Sequence, residues 1–504
     1  MNFKKTDLLL ISLILFQSLI CFISWQLFFK AAADDTLIYH SLKSYFMPLE
    51  LNNHLSKSLA AIFNTSVSEL KLEYFQISFS QLKFKSFYKI IEESSRWLII
   101  LFYGISYFFI ITRKSFLELT YRRIIIYSSL FFFVAALCLP NDSSDIYGYI
   151  ARGAQQFYFA MNPYASVVSE IDNWRENIFL TNMLWENNPA PYGPLFMILC
   201  KALVALSFGN FWVSLFLFKL INLIAYAVLV FILCQGHLAQ QIHAHKLKRM
   251  LLILAFNPLF MMELAWNGHN DILMCLFISL AFYFLTQKKY GLSLFMISAA
   301  ILIKFLAIVL MPLFIIVLIK MINFKSLRSL AGSFLGLVFS LILLIGLVIN
   351  YDLLNLDYSR FNENLTLSHK SLFNSLLSFF KILMGDNYTE SFYYSSLKNT
   401  FLAAFLIFAC YLYFKFFKSV NHCQNIMKYS SILMFSLIML ASPKFHSWYL
   451  LCFLPFSFLS FAEISLVLSF THLLSFTLID QANILNFLIM TGLPALIILR
   501  DLKK

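Results

Sequence analysis

Residues 191–234 read PYGPLFMILCKALVALSFGNFWVSLFLFKLINLIAYAVLVFILC. Two apolar segments lie here, Tyr192–Phe208 and Phe211–Cys234, and the fold turns on whether one or both cross a membrane. Downstream stands a basic turn, Lys246, Lys248 and Arg249. Upstream, the loop from Pro140 to about Pro191 is delivered to the outer side if Lys4 and Lys5 keep the N-terminus inside. Basic residues stay with cytoplasmic loops, so only one crossing fits between that loop and that turn. The first segment is short, opens Pro-Tyr-Gly-Pro and carries Lys201 midway. It is expected to lie along, or dip into, the outer face of the membrane, and Phe211–Cys234 is expected to cross alone.

Working outward, the same parity assigns the rest. Leu8–Phe29 follows Lys4 and Lys5 without a small-residue cleavage site, which predicts a retained span and not a removed signal peptide. Trp97–Ile111 returns to Arg113, Lys114, Arg122 and Arg123, and Ile124–Leu139 exits. Met250–Leu264 exits and Ile272–Leu285 returns to Lys288 and Lys289. Leu292–Ile319 starts and ends beside basic turns, which predicts a hairpin of two short arms with its tip near Lys304. Leu330–Ile349, Phe401–Phe417, Tyr429–Ala441, Trp448–Phe461, Ile464–Ile479 and Ile484–Leu499 complete an all-α polytopic transmembrane bundle of about 14 spans, with both termini cytoplasmic. The predicted units are 1–121, a two-span extension with an outer loop; 122–349, the module carrying the acidic outer loop 140–191; and 350–504, a further outer loop and the C-terminal helices.

Composition agrees. The chain of 504 residues is 60% hydrophobic and 12% charged, about half the charge of a soluble domain, with a mean hydropathy of +0.77. Repeated apolar runs between short charged turns are what bilayer-spanning helices require. The eight Cys carry no C-x-x-C pair and read as small apolar residues, not as a disulfide or zinc framework. The net charge of +13 raises nucleic acid as a partner. Yet 20 of the 38 Lys and Arg fall in the assigned cytoplasmic segments, beside only four of the 25 acids. Membrane topology therefore accounts for the positive excess, and no nucleic-acid partner is needed.

The unusual polar clusters all fall on the outer face. They are Asn141-Asp142-Ser143-Ser144-Asp145-Ile146-Tyr147-Gly148-Tyr149, Arg152-Gly153, Asn162-Pro163-Tyr164, Trp185 and Pro191-Tyr192-Gly193-Pro194. Glu263, Asn267-Gly268-His269-Asn270-Asp271, Lys304 and Pro443-Lys444-Phe445-His446-Ser447-Trp448 join them. Acid, base and cation converging at a membrane surface point to a site for a membrane-embedded anionic substrate. Simpler roles compete. Asp142 and Asp145 can cap a helix beginning near Ile146, and the tyrosines and Trp185 can anchor at the interface. His269 and Asp271 can form a solvated turn, as can Lys444 and His446. Lys304, between two apolar arms, needs an anion or water to offset a cost of several kcal/mol.

Asp145-Ile-Tyr-x-Tyr-x-x-Arg-Gly, Asn162-Pro-Tyr and Pro191-Tyr-Gly-Pro-Leu, with Asn257-Pro-Leu, Asn267-Gly-His-Asn-Asp271, Ser442-Pro and Trp448-Tyr-Leu, resemble bacterial GT-C glycosyltransferases. The likeness is to the polyprenol-phosphate-mannose-dependent α-(1→6)-mannosyltransferases and covers roughly Asp142 to Pro455. It implies a GT-C-like architecture with interfacial helices in the outer loop. It also implies a polyprenyl-phosphate sugar donor, a glycan or glycolipid acceptor, and an active site at the outer surface of the plasma membrane. The departure from the pattern is N-terminal, where two spans and a long loop precede the acidic motif. Asp34-Asp35, just after the first span, is a rival acidic pair. Asp145 is preferred because only it is followed by the Tyr, Arg-Gly and Asn-Pro-Tyr elements.

The resemblance and the residues together predict transfer of a hexose, mannose by likeness, with inversion. Asp145 is the expected general base, with Asp142 beside it. Lys304, Arg152, Lys444 and His446 are the expected cations for the leaving phosphate. Asn267, His269, Asn270 and Asp271 are expected to hydrogen-bond sugar or acceptor, with Tyr147, Tyr149, Asn162, Tyr164, Trp185 and Tyr192 lining or stacking. The Asp142/Asp145 spacing is compatible with a divalent cation, Mg or Mn, bridging to the phosphate, without demanding one. Two other classes stay open: a transporter or flippase for a lipid-linked sugar, and a ligase or polymerase joining glycan chains. Transporters place polar residues near the midplane on broken, repeated helices, whereas these clusters sit at span ends without an internal repeat.

Overall fold

A computed structural model describes residues 5–33, 93–140, 143–234, 244–321, 327–356, 372–384, 390–419, 423–442, 445–460 and 465–469. Asp34, Asp35, Asp142, Lys444 and nearly all of the expected spans 464–479 and 484–499 lie outside these residues. Among the described residues every regular element is helical. The principal helices are α1 Lys5–Ala33, α2 Glu93–Thr112, α3 Tyr121–Leu137, α4 Asp145–Phe157, α5 Pro194–Ala205, α6 Phe211–Cys234, α7 Ala244–Ala255 and α8 Asp271–Thr286. They continue with α9 Tyr290–Ile303, α10 Met311–Met321, α11 Leu327–Asn350, α12 Leu372–Met384, α13 Glu390–Ser419, α14 Cys423–Ser436 and α15 Leu454–Ser460.

Among the described residues, five stretches are long and apolar enough to cross a membrane: Lys5–Ile23, Phe211–Cys234, Leu247–Trp266, Leu330–Asn350 and Phe392–Ser419. Four of them present large apolar side chains outward, among them Leu15, Phe231, Phe339 and Ile407, as helices whose outer solvent is lipid do. Leu247–Trp266 is different, being buried along almost its whole length. The remaining apolar helices are shorter. Pro194–Ala205, expected not to cross, has 12 residues and spans only about 18 Å at 1.5 Å per residue, short of a hydrocarbon core of about 30 Å. It packs along α4.

Two expected spans are broken by their own chemistry. Met250–Leu264 is interrupted where Asn257 takes the N–H groups of Leu259 and Phe260 and Pro258 opens a new turn. The chain then runs through a π-helical turn, Met261–Trp266. Trp448–Phe461 is not one helix: a 3₁₀ turn, Ser447–Cys452, precedes the seven-residue α15. Pro455, at the second position of α15, has no N–H to continue the preceding turn and is tolerated only at a helix start. The 292–319 segment does break at Lys304, whose extended backbone separates α9 from a 3₁₀ turn, Phe305–Leu310.

Packing centres on α8 and α9. α9 lies against α8 on one side and α11 on the other. It can approach α11 closely because a Cβ on Gly291 would strike the Gly332 backbone and one on Gly336 the Gly291 backbone. Small residues that let backbones touch are how helices associate where lipid removes the hydrophobic drive. α1 packs on α3, tied by Asp7, which accepts from the Arg123 guanidinium at 3.3 Å and the Tyr127 hydroxyl at 3.1 Å.

Candidate active site

α4, DIYGYIARGAQQF, carries its polar groups on one face, yet nearly all of it is buried. A polar face hidden inside protein must meet polar partners, and the partners divide into two groups. At the N-terminal end, the N–H of Asp145 donates to Ser143 Oγ at 3.2 Å. The N-cap residue, Ser144, makes no side-chain capping bond, and the Asp145 carboxylate lies 3.6 Å from Nδ1 of His269. One turn on, Tyr149 donates to Oδ1 of Asn270 at 3.2 Å, and its ring meets Tyr192 edge-on at 5.2 Å.

The Asn267–Asp271 turn is held from three sides. Asn222 of α6 donates to the Gly268 carbonyl at 2.9 Å. Trp266 Nε1 donates to the Leu139 carbonyl at 2.6 Å, and Lys219 of α6 donates to that of Cys138. Gly268 has φ +78° and its missing side chain would occupy the space of Ile146 on α4. Only glycine takes that conformation without strain, so α4 and the turn close to contact distance because residue 268 is Gly.

The π turn aims Glu263 inward, where it is fully buried. Its Oε2 lies 3.4 Å from Nε2 of His269 and accepts from Asn267 Nδ2 at 3.2 Å, while Oε1 accepts from Ser447 Oγ. Asp271 pairs with Lys304 at 2.5 Å and accepts from Cys452 Sγ at 2.9 Å. The Lys304 ammonium also lies 5.4 Å from the Tyr449 ring centre. Trp448 stacks between two imidazoles, His269 and His446, each at 4.1 Å.

The electrostatics follow from burial and neighbours. Burial opposes the Lys304 charge, but Asp271, Cys452 and Tyr449 more than offset it, so the ammonium holds its proton above the usual lysine range. Burial, then Lys304 and His446, push His269 well below the usual imidazole range. Burial first, then Asp145, raises Tyr192 well above the usual phenol range. Arg152 is lowered to about 10 by burial.

One cluster therefore gathers Asp145, Tyr149, Tyr192, Asn267, His269, Asn270, Asp271, Lys304 and His446 from the sequence-predicted set. Five others point elsewhere. Arg152, 1% exposed, donates to Gln155 Oε1 at 2.7 Å and to the Asn188 carbonyl. Tyr147 stacks on Phe211. Asn162 donates to the Tyr351 carbonyl at 2.6 Å and Tyr164 to that of Tyr192 at 2.7 Å. Trp185 is 45% exposed on the 160–190 loop. Asp142 and Lys444 lie outside the described residues, so the bridging-cation expectation, which needs Asp142, does too. Among the described residues no group of three or more His, Cys, Asp and Glu is arranged to hold a metal ion.

Glu263 and Trp448, noticed in the sequence as polar-cluster members without a role, join the cluster, as do Ser447, Tyr449 and Cys452. The signal for Glu263 was an acid inside an apolar run, which is costly unless used or paired. Tyr449 and Cys452 gave no such signal, because both residue types are common in apolar helices.

Residues 95–320, which hold every part of this cluster except the 446–452 turn, match the family model described as alpha-(1->6)-mannopyranosyltransferase, N-terminal domain. Alpha-(1->6)-mannopyranosyltransferase A of Mycobacterium tuberculosis is 28% identical over 176 residues, 35% of this chain and 33% of that protein. A second alpha-(1->6)-mannopyranosyltransferase of the same organism is 29% identical over 136 residues, 27% of this chain and 22% of that protein. The aligned segments thus span a third or less of the length of these relatives. No solved structure matches. The likeness read from the Asp145, Asn162-Pro-Tyr and Asn267–Asp271 motifs holds: this chain resembles the α-(1→6)-mannosyltransferases, and its site lies in the part that corresponds to their N-terminal domain.

Proposed function

We propose that the protein is an inverting membrane mannosyltransferase of the GT-C type. It takes mannose from a polyprenyl-phosphate donor and passes it to a glycan or glycolipid acceptor on the non-cytoplasmic face of the plasma membrane. The observation that carries this reading is the Asp145 carboxylate against His269, in the same turn as the Asp271 that pairs with Lys304, within the segment that resembles mannosyltransferases. In this reading Asp145 accepts the proton of the acceptor hydroxyl as that oxygen attacks the anomeric carbon from the face opposite the phosphate. The bond from the anomeric carbon to the phosphate oxygen breaks, its electron pair leaves with the polyprenyl phosphate, and the configuration inverts. Lys304 faces the charge growing on the leaving phosphate, with His446 nearby. Fixed cations in a partly desolvated site stabilise such charge far better than water does.

Two atoms support sugar binding. Nδ2 of Asn270 and Oδ2 of Asp271 are buried without a hydrogen-bond partner. Such orphans cost roughly 1–3 kcal/mol each, and sugar hydroxyls supply the matching acceptor and donor.

The test uses full-length protein in lipid nanodiscs with polyprenyl-phosphate [14C]mannose and a mannose oligosaccharide. The wild type is expected to transfer label, and Asp145→Asn to lose at least about 100-fold in kcat while still binding donor. No transfer by wild type overturns the function, and normal turnover by Asp145→Asn overturns the base.

A further inference from the structure

Glu263 belongs to no step described so far, yet it is a fully buried carboxylate in the interior of an apolar stretch. Its surroundings are specific. Asn267 and Ser447 donate to its two oxygens, and Nε2 of His269 lies 3.4 Å away. The other nitrogen of the same ring, Nδ1, lies 3.6 Å from Asp145. One imidazole therefore stands between the partly exposed carboxylate and the buried one. Both of its nitrogens are within a few tenths of an ångström of hydrogen-bond length, and neither is satisfied by any other group.

The ring itself has little freedom. It is fully buried and stacked on Trp448 with an interplanar angle of 11°. Its turn is fixed by Gly268 against Ile146 and by Asn222 on the Gly268 carbonyl. A neutral imidazole carries one N–H, and which nitrogen bears it is set by the partner of the other. If Nε2–H is directed at Glu263, the lone pair of Nδ1 faces Asp145.

We propose that Glu263 is a positioning residue that holds His269 in this tautomer, so that His269 receives from Asp145 the proton Asp145 has taken from the acceptor. This rests on the mannosyltransferase reading above. The step balances simply. The acceptor O–H proton passes to an Asp145 oxygen as the new glycosidic bond forms, and then from that oxygen to Nδ1 of His269. Asp145 returns to its carboxylate form, and the positive charge gained by the imidazole faces the Glu263 carboxylate, while the polyprenyl phosphate departs with the electron pair of the broken bond. Burial, then the cations Lys304 and His446, disfavour charge on His269; the Glu263 carboxylate, 3.4 Å from Nε2, is the neighbouring group whose charge opposes theirs. The logic is that of a nucleophile–base–orienter triad, with a carboxylate in the first place.

The experiment measures kcat and KM for donor and acceptor in nanodisc-held Glu263→Gln, His269→Gln and the double variant. Glu263→Gln keeps the size and one acceptor oxygen but removes the charge, and should lower kcat at least about tenfold with both KM values within twofold. Because the two residues act as a unit, the double variant should be no slower than the slower single one. An active wild type with Glu263→Gln within twofold in kcat, or with multiplying effects in the double variant, overturns the proposal and leaves the mannosyltransferase reading intact. A wild type without transfer overturns that reading instead. Should Glu263→Gln fail to elute as the wild type does, Ser447→Ala decides. It loosens the carboxylate without removing it, so kcat should fall severalfold in the wild-type background and not at all beside His269→Gln; equal effects in both backgrounds overturn the proposal.

Discussion

The two ends of α4 hold the same kinds of group in different settings. At its start, Asp145 meets His269, and nearby Lys304 pairs with Asp271 while its side chain keeps 19% of its exposure. Two turns later Arg152 is sealed, with its terminal nitrogens on Gln155 and a loop carbonyl and its Nε buried without a hydrogen-bond partner. Arg152 is buried and Lys304 part-buried, and both are candidates for phosphate by sequence. The difference is in what holds them. A cation whose partner is another movable charge can exchange that partner for a substrate anion. A cation whose partners are backbone and amide is committed to keeping a loop in place. The start of α4 is thus built for exchange and its end for fixing the 160–190 loop, which Asn162 and Tyr164 fasten further.

Breaking the ion pair gives the largest expected effect. Lys304→Met leaves Asp271 charged, buried and unmatched, and removing one partner of a buried pair costs about 3–5 kcal/mol. Thermal unfolding in detergent should show that loss, and donor KM should rise at least tenfold. The double variant Lys304→Met/Asp271→Leu removes both charges. It is expected to recover most of the unfolding temperature and none of the transfer. Recovery of transfer would place Lys304 with Arg152 among the structural cations.

A smaller effect sharpens the same contrast from the scaffold side. Gly193, at the head of α5, donates its N–H to the Ile303 carbonyl at 3.0 Å, beside Lys304. A Cβ there would overlap the carbonyl oxygen of Leu302. Gly193→Ala must push α5 from the break that carries Lys304, at a typical overpacking cost of about 1–3 kcal/mol. Because that break sets the height of Lys304, donor KM should rise together with the loss of thermal stability. Stability loss with KM unchanged would show that the break moves as a rigid unit with α5.

Much of this was legible in the sequence. Apolar run length gave Phe211–Cys234 to the residue, and the Tyr192–Phe208 segment that charge parity expects not to cross holds a helix of only 12 residues, Pro194–Ala205. The Asn267–Asp271 turn was legible because Asn-Gly-His-Asn-Asp has no apolar reason to exist between two apolar helices. What was hidden was direction. Spacing places Asp145, Tyr149 and Arg152 on one face of α4, but that face runs along two different neighbours, so Asp145 and Tyr149 reach the cluster and Arg152 does not. Hidden too was the π turn: a single Asn-Pro gives no hint that the following turn is widened and that Glu263 is thereby aimed at His269. Proline likewise divided 448–461, where hydropathy alone saw one span.

Arg152 decides the smallest and most discriminating case. Hydrogen bonds from a charged donor contribute roughly 1.5–3 kcal/mol each, but burying a guanidinium offsets much of that, so Arg152→Met should cost only about 1–2 kcal/mol. The methionine fills the stem's space, which keeps α4 packed on α5, while the Asn188 carbonyl loses its donor and the 160–190 loop loosens. Loop loosening should appear as faster proteolysis between Trp174 and Asn188. Donor KM should stay within twofold, because the lost contacts face the loop and not the Asp145 end. A tenfold rise in donor KM without faster proteolysis would put the guanidinium on the phosphate. The two ends of α4 would then be one continuous anion site instead of an exchangeable end and a fixed one.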